Sequence, residues 1–369
     1  MEPRPGEERS RSEPVSERPG PRDEGRWGSL GARLRDLGAL SAVGLAALAI
    51  ASNRADRSLT AGTLLNVSYD ATHKVYNDLD AAFANEYEAT SGHRVAIRQS
   101  HGGSSAQARR VIEGLEADVV TLALFSDVDS LRKTSLLANG WAERLPNHSQ
   151  PCSSTIVFVV RRGNPRHIAD WPDLIQADVG VVTPNPKTSG SGKLAFLAAW
   201  GAVLRRGGDE EAARAYVGAL YRHAVALGSG AQTTAMEFVE EKVGDVELAW
   251  ENEALAQASA SAGELVVVDP PTSIRAEPSV AWVDAYVARH GTEETARRYL
   301  AFLFSPAGQQ ILARDGYRPY RQDVLAAHAA RFGAVDLFPV ELVAKSWDDA
   351  AERFFADGGV YDSLAARLP

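Results

Sequence analysis

From about Thr63 onward, short apolar runs alternate with segments whose apolar residues recur at helical spacing, and this alternation constrains the fold more than any other feature. Apolar residues at i, i+4 and i+8 line one face of a helix, and short runs rich in Val, Ile and Leu bounded by turn residues read as strands. LLNVSY is followed by Val75, Leu79 and Phe83, and VAIRQS by Ala108, Val111, Ile112 and Leu115. DVVTLAL, STIVFVVRR and VGVVTPN are further strands, and Leu194, Leu197, Ala198 and Leu204 mark a further helix. EEAARAYVGALYRHAV, TTAMEFVEEKVG and ETARRYLAFLF are helical, with strands VELAW, ELVVVD and SVAWVDAY among them. Strands separated by helices predict α/β layers with largely parallel sheets. The C-terminal ELVAKSWDDAAERFF predicts one amphipathic helix.

Several strand-to-helix junctions share a second feature. They read Ser68-Tyr69-Asp70, Ser100-His101-Gly102-Gly103-Ser104-Ser105, Thr188-Ser189-Gly190-Ser191-Gly192 and Gly228-Ser229-Gly230-Ala231. Each leaves the first backbone N–H groups of a helix without an acceptor in that helix. Glycine and serine let another group approach the backbone closely. Helix starts carry about half a positive charge and, in α/β folds, lie beyond the carboxyl ends of strands. Several meeting at one point would hold a small anion. Any one of them is also what an ordinary capped helix start looks like.

Composition narrows the function classes. The net charge of −9, from 39 Lys+Arg against 48 Asp+Glu, argues against nucleic-acid binding, which rests on neutralising phosphates. The single cysteine, Cys152, excludes an internal disulfide framework and a cysteine-cluster metal site, and reads as an inert buried thiol. SGSGK lacks the first glycine of a phosphate-binding P-loop, where Lys187 stands, and Lys193 is followed by Leu194. HGGS is like an esterase oxyanion loop, but the chain has no G-x-S-x-G elbow. A nucleophile–base pair of Ser104 and His101 is the distant enzymatic alternative. The expectation is a binding protein and not an enzyme, with no cofactor and no metal.

Residues 1–36, rich in Pro, Glu and Arg, are expected to be disordered. Leu37 to Ile50 carries no charge and, through Ser52, fits the apolar core of a secretory signal or a short anchor. The expected location is periplasmic or otherwise extracytoplasmic.

The strand and junction segments carry a resemblance. LLNVSYD at 64–70, QSHGGS at 99–104, EADVVTLAL at 116–124 and STIVFVVRRGNP at 154–165 are similar to segments of the periplasmic sulfate-binding proteins, the substrate-binding components of sulfate/thiosulfate ABC uptake systems. So are TPNPKTSG at 183–190, FLAAWG at 196–201, GDVELAWENEAL at 244–255, SPAGQQIL at 305–312, YRP at 317–319 and FADGG at 355–359. The resemblance implies a two-lobed periplasmic-binding-protein fold of type II, each lobe a mixed sheet flanked by helices, with the ligand cleft between. Residues 63–152 with about 269–330 would form lobe 1 and about 153–268 lobe 2, with 331–369 packing across both.

It also implies a site of uncharged donors for dehydrated sulfate. These are the backbone N–H of Asp70, the N–H and hydroxyl of Ser104, the N–H groups of Gly190, Ser191 and Ala231, and the indole N–H of Trp250. Ser191 stands where the family usually has a second glycine, and Gln232 where it often has arginine. The implied partners are sulfate or thiosulfate and an ABC permease with its cytoplasmic ATPase; the chain is expected to be a monomer. Binding of another tetrahedral oxyanion such as molybdate is the alternative. Sulfate has only acceptors, so a site made wholly of donors satisfies it. Monohydrogen phosphate brings a proton with no acceptor, a mismatch worth about 1–3 kcal/mol.

Overall fold

The computed structural model describes residues 62–366; the segments expected at 1–36 and 37–52, and residues 367–369, lie outside the described residues. In chain order the first elements are β1 (Thr63–Tyr69), α1 (His73–Ser91), β2 (Ala96–Gly102), α2 (Ser104–Ile112), β3 (Val119–Leu122), α3 (Phe125–Lys133) and β4 (Cys152–Ser153). Then come β5 (Ile156–Arg161), β6 (Val181–Pro184), α4 (Gly190–Arg205), α5 (Glu210–Arg222) and β7 (Ala224–Gly228). α6 (Ala231–Val239), β8 (Val246–Trp250), α7 (Glu251–Ala260), β9 (Leu265–Val268), β10 (Thr272–Ile274) and β11 (Ser279–Trp282) follow. The chain continues through α8 (Asp284–His290), α9 (Glu293–Phe302), α10 (Pro306–Arg314), β12 (Arg318–Pro319) and β13 (Asp336–Phe338).

Two sheets define two lobes. The first has the order β11-β3-β1-β2 and the second β7-β6-β8-β5-β9. Within each, the strands joined by helical crossovers run parallel: β2, β1 and β3 in one, β7, β6 and β8 in the other. The exceptions are β11 against β3, and β5 against β8 and β9, which are antiparallel. Both sheets are therefore mixed. Between them pass short connections: β4 pairs with β12, β10 with β13, and Ser154 bridges Ala276.

The strands read as near-continuous apolar runs because both faces of each sheet are covered. Successive residues point to opposite faces. Leu64, Val119 and Val280 accordingly pack with Leu79, Phe83 and Tyr299, whereas Val67, Val120 and Ala281 pack with Val111, Val128 and Trp141. In the second lobe Ile156, Phe158 and Val160 face Phe196 and Trp200, and Val157 and Val159 face Phe238. Tyr69, Ala123 and Leu124 of the first lobe join the second lobe's core cluster, so the lobes are pressed together along the cleft.

Two elements differ from the expectation. SVAWVDAY is a strand only to Trp282; Asp284 opens α8, its carboxylate held by Ala138 N–H and Arg144. ELVAKSWDDAAERFF is broken into a short 3-10 turn, an α turn at Trp347–Ala350 and a π turn at Ala351–Phe355. The adjacent Phe354 and Phe355 both enter the second lobe's core, which a regular α-helix, turning about 100° per residue, would resist. Asp348, just before this turn, pairs with Lys133 of the first lobe at 2.8 Å. Cys152 is buried, and burial pushes its thiol pKa up.

Candidate functional site

The carboxyl ends of the parallel strands all open onto the cleft, and helices start there. β1 runs into a 3-10 turn beginning at Asp70 and then α1. α2 begins at Ser104 after β2, α4 at Gly190 after β6, α6 at Ala231 after β7, and α7 directly after Trp250 at the end of β8. In α2 the first bond of the ladder is Gln107 N–H to the Gly103 carbonyl, and in α6 it is Thr234 N–H to the Gly230 carbonyl. Ser104 and Ala231 therefore present N–H groups outside the ladder, and their N-caps, Gly103 and Gly230, have no side chain to take them. In α4 the Ser189 hydroxyl takes Gly192 N–H, and its carbonyl takes Lys193 N–H. Among the described residues, the N–H groups of Gly190 and Ser191 are left outside these bonds.

These residues converge. A methyl group placed on Gly190 would lie 3.2 Å from Ser104 Cβ across the cleft, and one on Gly103 would lie 2.7 Å from the Thr188 carbonyl. One on Gly230 would strike the Asp70 carboxylate. The Trp250 ring packs against Tyr69 with centroids 5.3 Å apart, and its indole N–H donates to Ser191 Oγ at 2.7 Å. Trp250 is 0 %, Ser104 1 % and Ser191 7 % exposed; Gly190 and Ala231 are buried and Asp70 half-buried. Each sequence-expected site residue thus lines one seam between the lobes. A cavity of about 810 Å³ lined by Arg144, Trp282 and Arg297 shares no residue with it.

The seam holds groups that the sequence reading missed. Ser104 Oγ donates to the buried Asp127 carboxylate at 2.5 Å and accepts Ala123 N–H at 3.1 Å. Ser105 Oγ donates to the other Asp127 oxygen at 2.9 Å, and Lys193 reaches from α4 to Ser105 Oγ at 2.8 Å. Asp127 lies in the first turn of α3 and Lys193 in that of α4. The available signal was an acid and a base each placed just inside a cleft-facing helix. The Ser104 hydroxyl, expected to face the ligand, is turned to Asp127 here, so its N–H is the donor left outside the ladder.

His101 does not meet Ser104. Its Nδ1 lies 3.3 Å from Thr72 Oγ1 and its ring packs on His73 with centroids 3.6 Å apart. Burial, then the charge of His73, pushes its pKa down to about 4. The esterase arrangement is not formed.

Trp250 is fixed by its surroundings. Glu251 N–H donates to the Thr155 carbonyl at 2.9 Å, and the Glu251 carboxylate takes Arg318 at 2.7 Å through both oxygens. Asp70 and Glu253 resist ionisation. Burial raises the Asp70 pKa against an opposing pull from His73, and burial, then Glu247 and Asp70, pushes Glu253 up to about 8.

A family model described as bacterial extracellular solute-binding protein matches residues 64–318. The sulfate-binding protein of Escherichia coli K12 is 45% identical over 306 residues, 82% of this chain and 93% of that protein. The thiosulfate-binding protein of Pseudomonas aeruginosa is 44% identical over 303 residues, 82% of this chain and 91% of that protein. Among solved structures, the sulfate-binding protein SubI from Mycobacterium tuberculosis superposes with a TM-score of 0.72 at 27% identity, covering 80% of this chain and 100% of that chain.

Proposed function

Because the chain belongs to the bacterial extracellular solute-binding proteins, in the branch of the sulfate- and thiosulfate-binding members, we propose that it captures sulfate outside the cytoplasmic membrane and delivers it to an ABC permease. One observation carries this reading: the starts of α2 and α4 close on each other across the cleft, the start of α6 closes on Asp70 at the end of β1, and each helix start leaves backbone N–H groups outside its ladder. Oriented peptide dipoles supply compensating charge there without reorganising when the ligand arrives. No lysine or arginine need touch the anion.

The same donors set selectivity. Each Asp127 oxygen accepts a hydroxyl, from Ser104 and Ser105, which holds that carboxylate in place, and the groups left outside the ladders at the helix starts are all donors. A fully deprotonated tetrahedral dianion suits such a site. Thiosulfate is the natural second ligand, given the similarity to the Pseudomonas protein. Capture requires the lobes to part and reclose by hinge motion through the connections near β4, β10 and β12. The closed form would then dock on the permease.

Native mass spectrometry of the protein, purified without added sulfate, tests the reading. A bound ion with the mass of sulfate is expected. A protein that carries no ion, and shows no heat of binding with sulfate or thiosulfate, would overturn it.

A further inference from the structure

Resting on the sulfate-capture reading, we propose that the Ser191 side chain is a specificity-determining donor: it accepts the Trp250 indole N–H and turns its own proton to the bound anion, favouring sulfate over thiosulfate.

The hydrogen bond between Trp250 Nε1 and Ser191 Oγ, at 2.7 Å, has one possible polarity. An indole nitrogen only donates, whereas a serine hydroxyl has one proton and two lone pairs. The oxygen is therefore the acceptor, and the hydroxyl proton remains to be placed. Among the described residues, no protein acceptor takes it. Both side chains are buried, and a buried donor without an acceptor is costly enough that native structures rarely leave one. The missing partner is an acceptor in the seam itself. Ser191 follows Gly190, whose backbone lies against Ser104 of the opposite lobe, so the hydroxyl sits where the two lobes meet around a ligand. Accepting the indole bond also polarises the hydroxyl and strengthens it as a donor.

The consequence is a change in what the seam rewards. A glycine here would leave the indole N–H to meet the anion directly and would leave room beside it. Serine fills that room with a methylene and an oxygen, and ends in a hydroxyl donor. A charged oxygen is a strong partner for such a donor. The terminal sulfur of thiosulfate is larger and a weaker acceptor. In a seam lined by donors and narrowed by this side chain, it finds less space and a weaker partner than a sulfate oxygen does.

Calorimetric titration of the whole chain with sulfate and with thiosulfate, at one ionic strength, tests this on wild type, Ser191→Ala and Ser191→Gly. Wild type is expected to prefer sulfate. Ser191→Ala is expected to lose about tenfold in sulfate affinity, the loss of a hydrogen bond to a charged partner, and less for thiosulfate. Ser191→Gly is expected to recover part of the sulfate affinity, since the indole N–H, freed in both variants, can reach the anion only where no β-carbon fills the space, and to bind thiosulfate at least as well as wild type. Sulfate affinity within twofold of wild type in both variants, with an unchanged sulfate-to-thiosulfate ratio, would overturn the proposal. Wild type that binds neither anion would overturn the capture reading itself, before any variant is compared.

Discussion

Two serines stand at cleft-facing helix starts on opposite sides of the seam, and their hydroxyls do opposite things. Ser104, in the first lobe, gives its proton to Asp127 and accepts Ala123 N–H. Ser191, in the second, accepts from Trp250 and keeps its proton. The residue type is the same, and both lie in a first turn, Ser104 as its first residue and Ser191 as its second. What differs is the neighbour. Next to a carboxylate, a hydroxyl becomes a structural donor that ties β3 and α3 to α2. Next to an indole, it becomes an acceptor whose own donor points outward. A serine at a helix start therefore does not announce its role; the group facing it from another element decides.

The largest effect that could break this contrast comes from Ser104→Ala. Removing that hydroxyl leaves an Asp127 oxygen and Ala123 N–H unpaired beside the anion. A buried group left unsatisfied costs about 1–3 kcal/mol, more when charged. Thermal unfolding should show lower stability, and titration should show sulfate affinity reduced about a hundredfold, because a carboxylate oxygen that has lost its hydroxyl donor then lies near a dianion. A loss no larger than that of Ser191→Ala would mean that the two hydroxyls play the same role. Gly103→Ala sharpens the comparison further. Its new methyl group would lie 2.7 Å from the Thr188 backbone carbonyl across the cleft, so the clash falls on the closed arrangement. Overpacking costs about 1–3 kcal/mol, which should appear as about a tenfold loss of sulfate affinity with little change in unfolding temperature. Equal losses in both readouts would place the clash in the fold of one lobe and not between the lobes.

The smallest effect concerns pH. Glu253 is held protonated in the fold up to about 8, whereas an ordinary glutamate ionises near 4.5. Between those values the folded protein binds the extra proton, so stability falls as pH rises through that window and levels off above it. Glu253→Gln should match wild type at the acidic end and unfold at a higher temperature above pH 8. Parallel pH profiles for the two proteins would show that the carboxyl ionises normally.

Much of the seam was legible because its chemistry is local. An apolar run followed by glycine and serine marks a strand end and a helix start together, and Asp70, Gly190 and Ala231 fall at such junctions. Trp250 was legible as the last residue of a strand. What stayed hidden joins elements distant in sequence. Asp127 lies 23 residues from Ser104, and Trp250 lies 59 from Ser191; no periodicity links such positions. The C-terminal segment misled for a related reason. Its apolar spacing suits one helix, but the demand that Phe354 and Phe355 both reach Phe196 is set by the second lobe's core. The ends of SVAWVDAY were likewise decided by Ala138 and Arg144, which hold the Asp284 carboxylate from another part of the chain.

Paired titrations with sulfate and with inorganic phosphate at pH 8, where phosphate is mainly the monohydrogen dianion, test most directly whether the seam is a cradle of donors for a proton-free anion. Sulfate is expected to bind at least about tenfold more tightly, the cost of burying a phosphate proton with no acceptor. Equal affinities for the two ions would contradict the account.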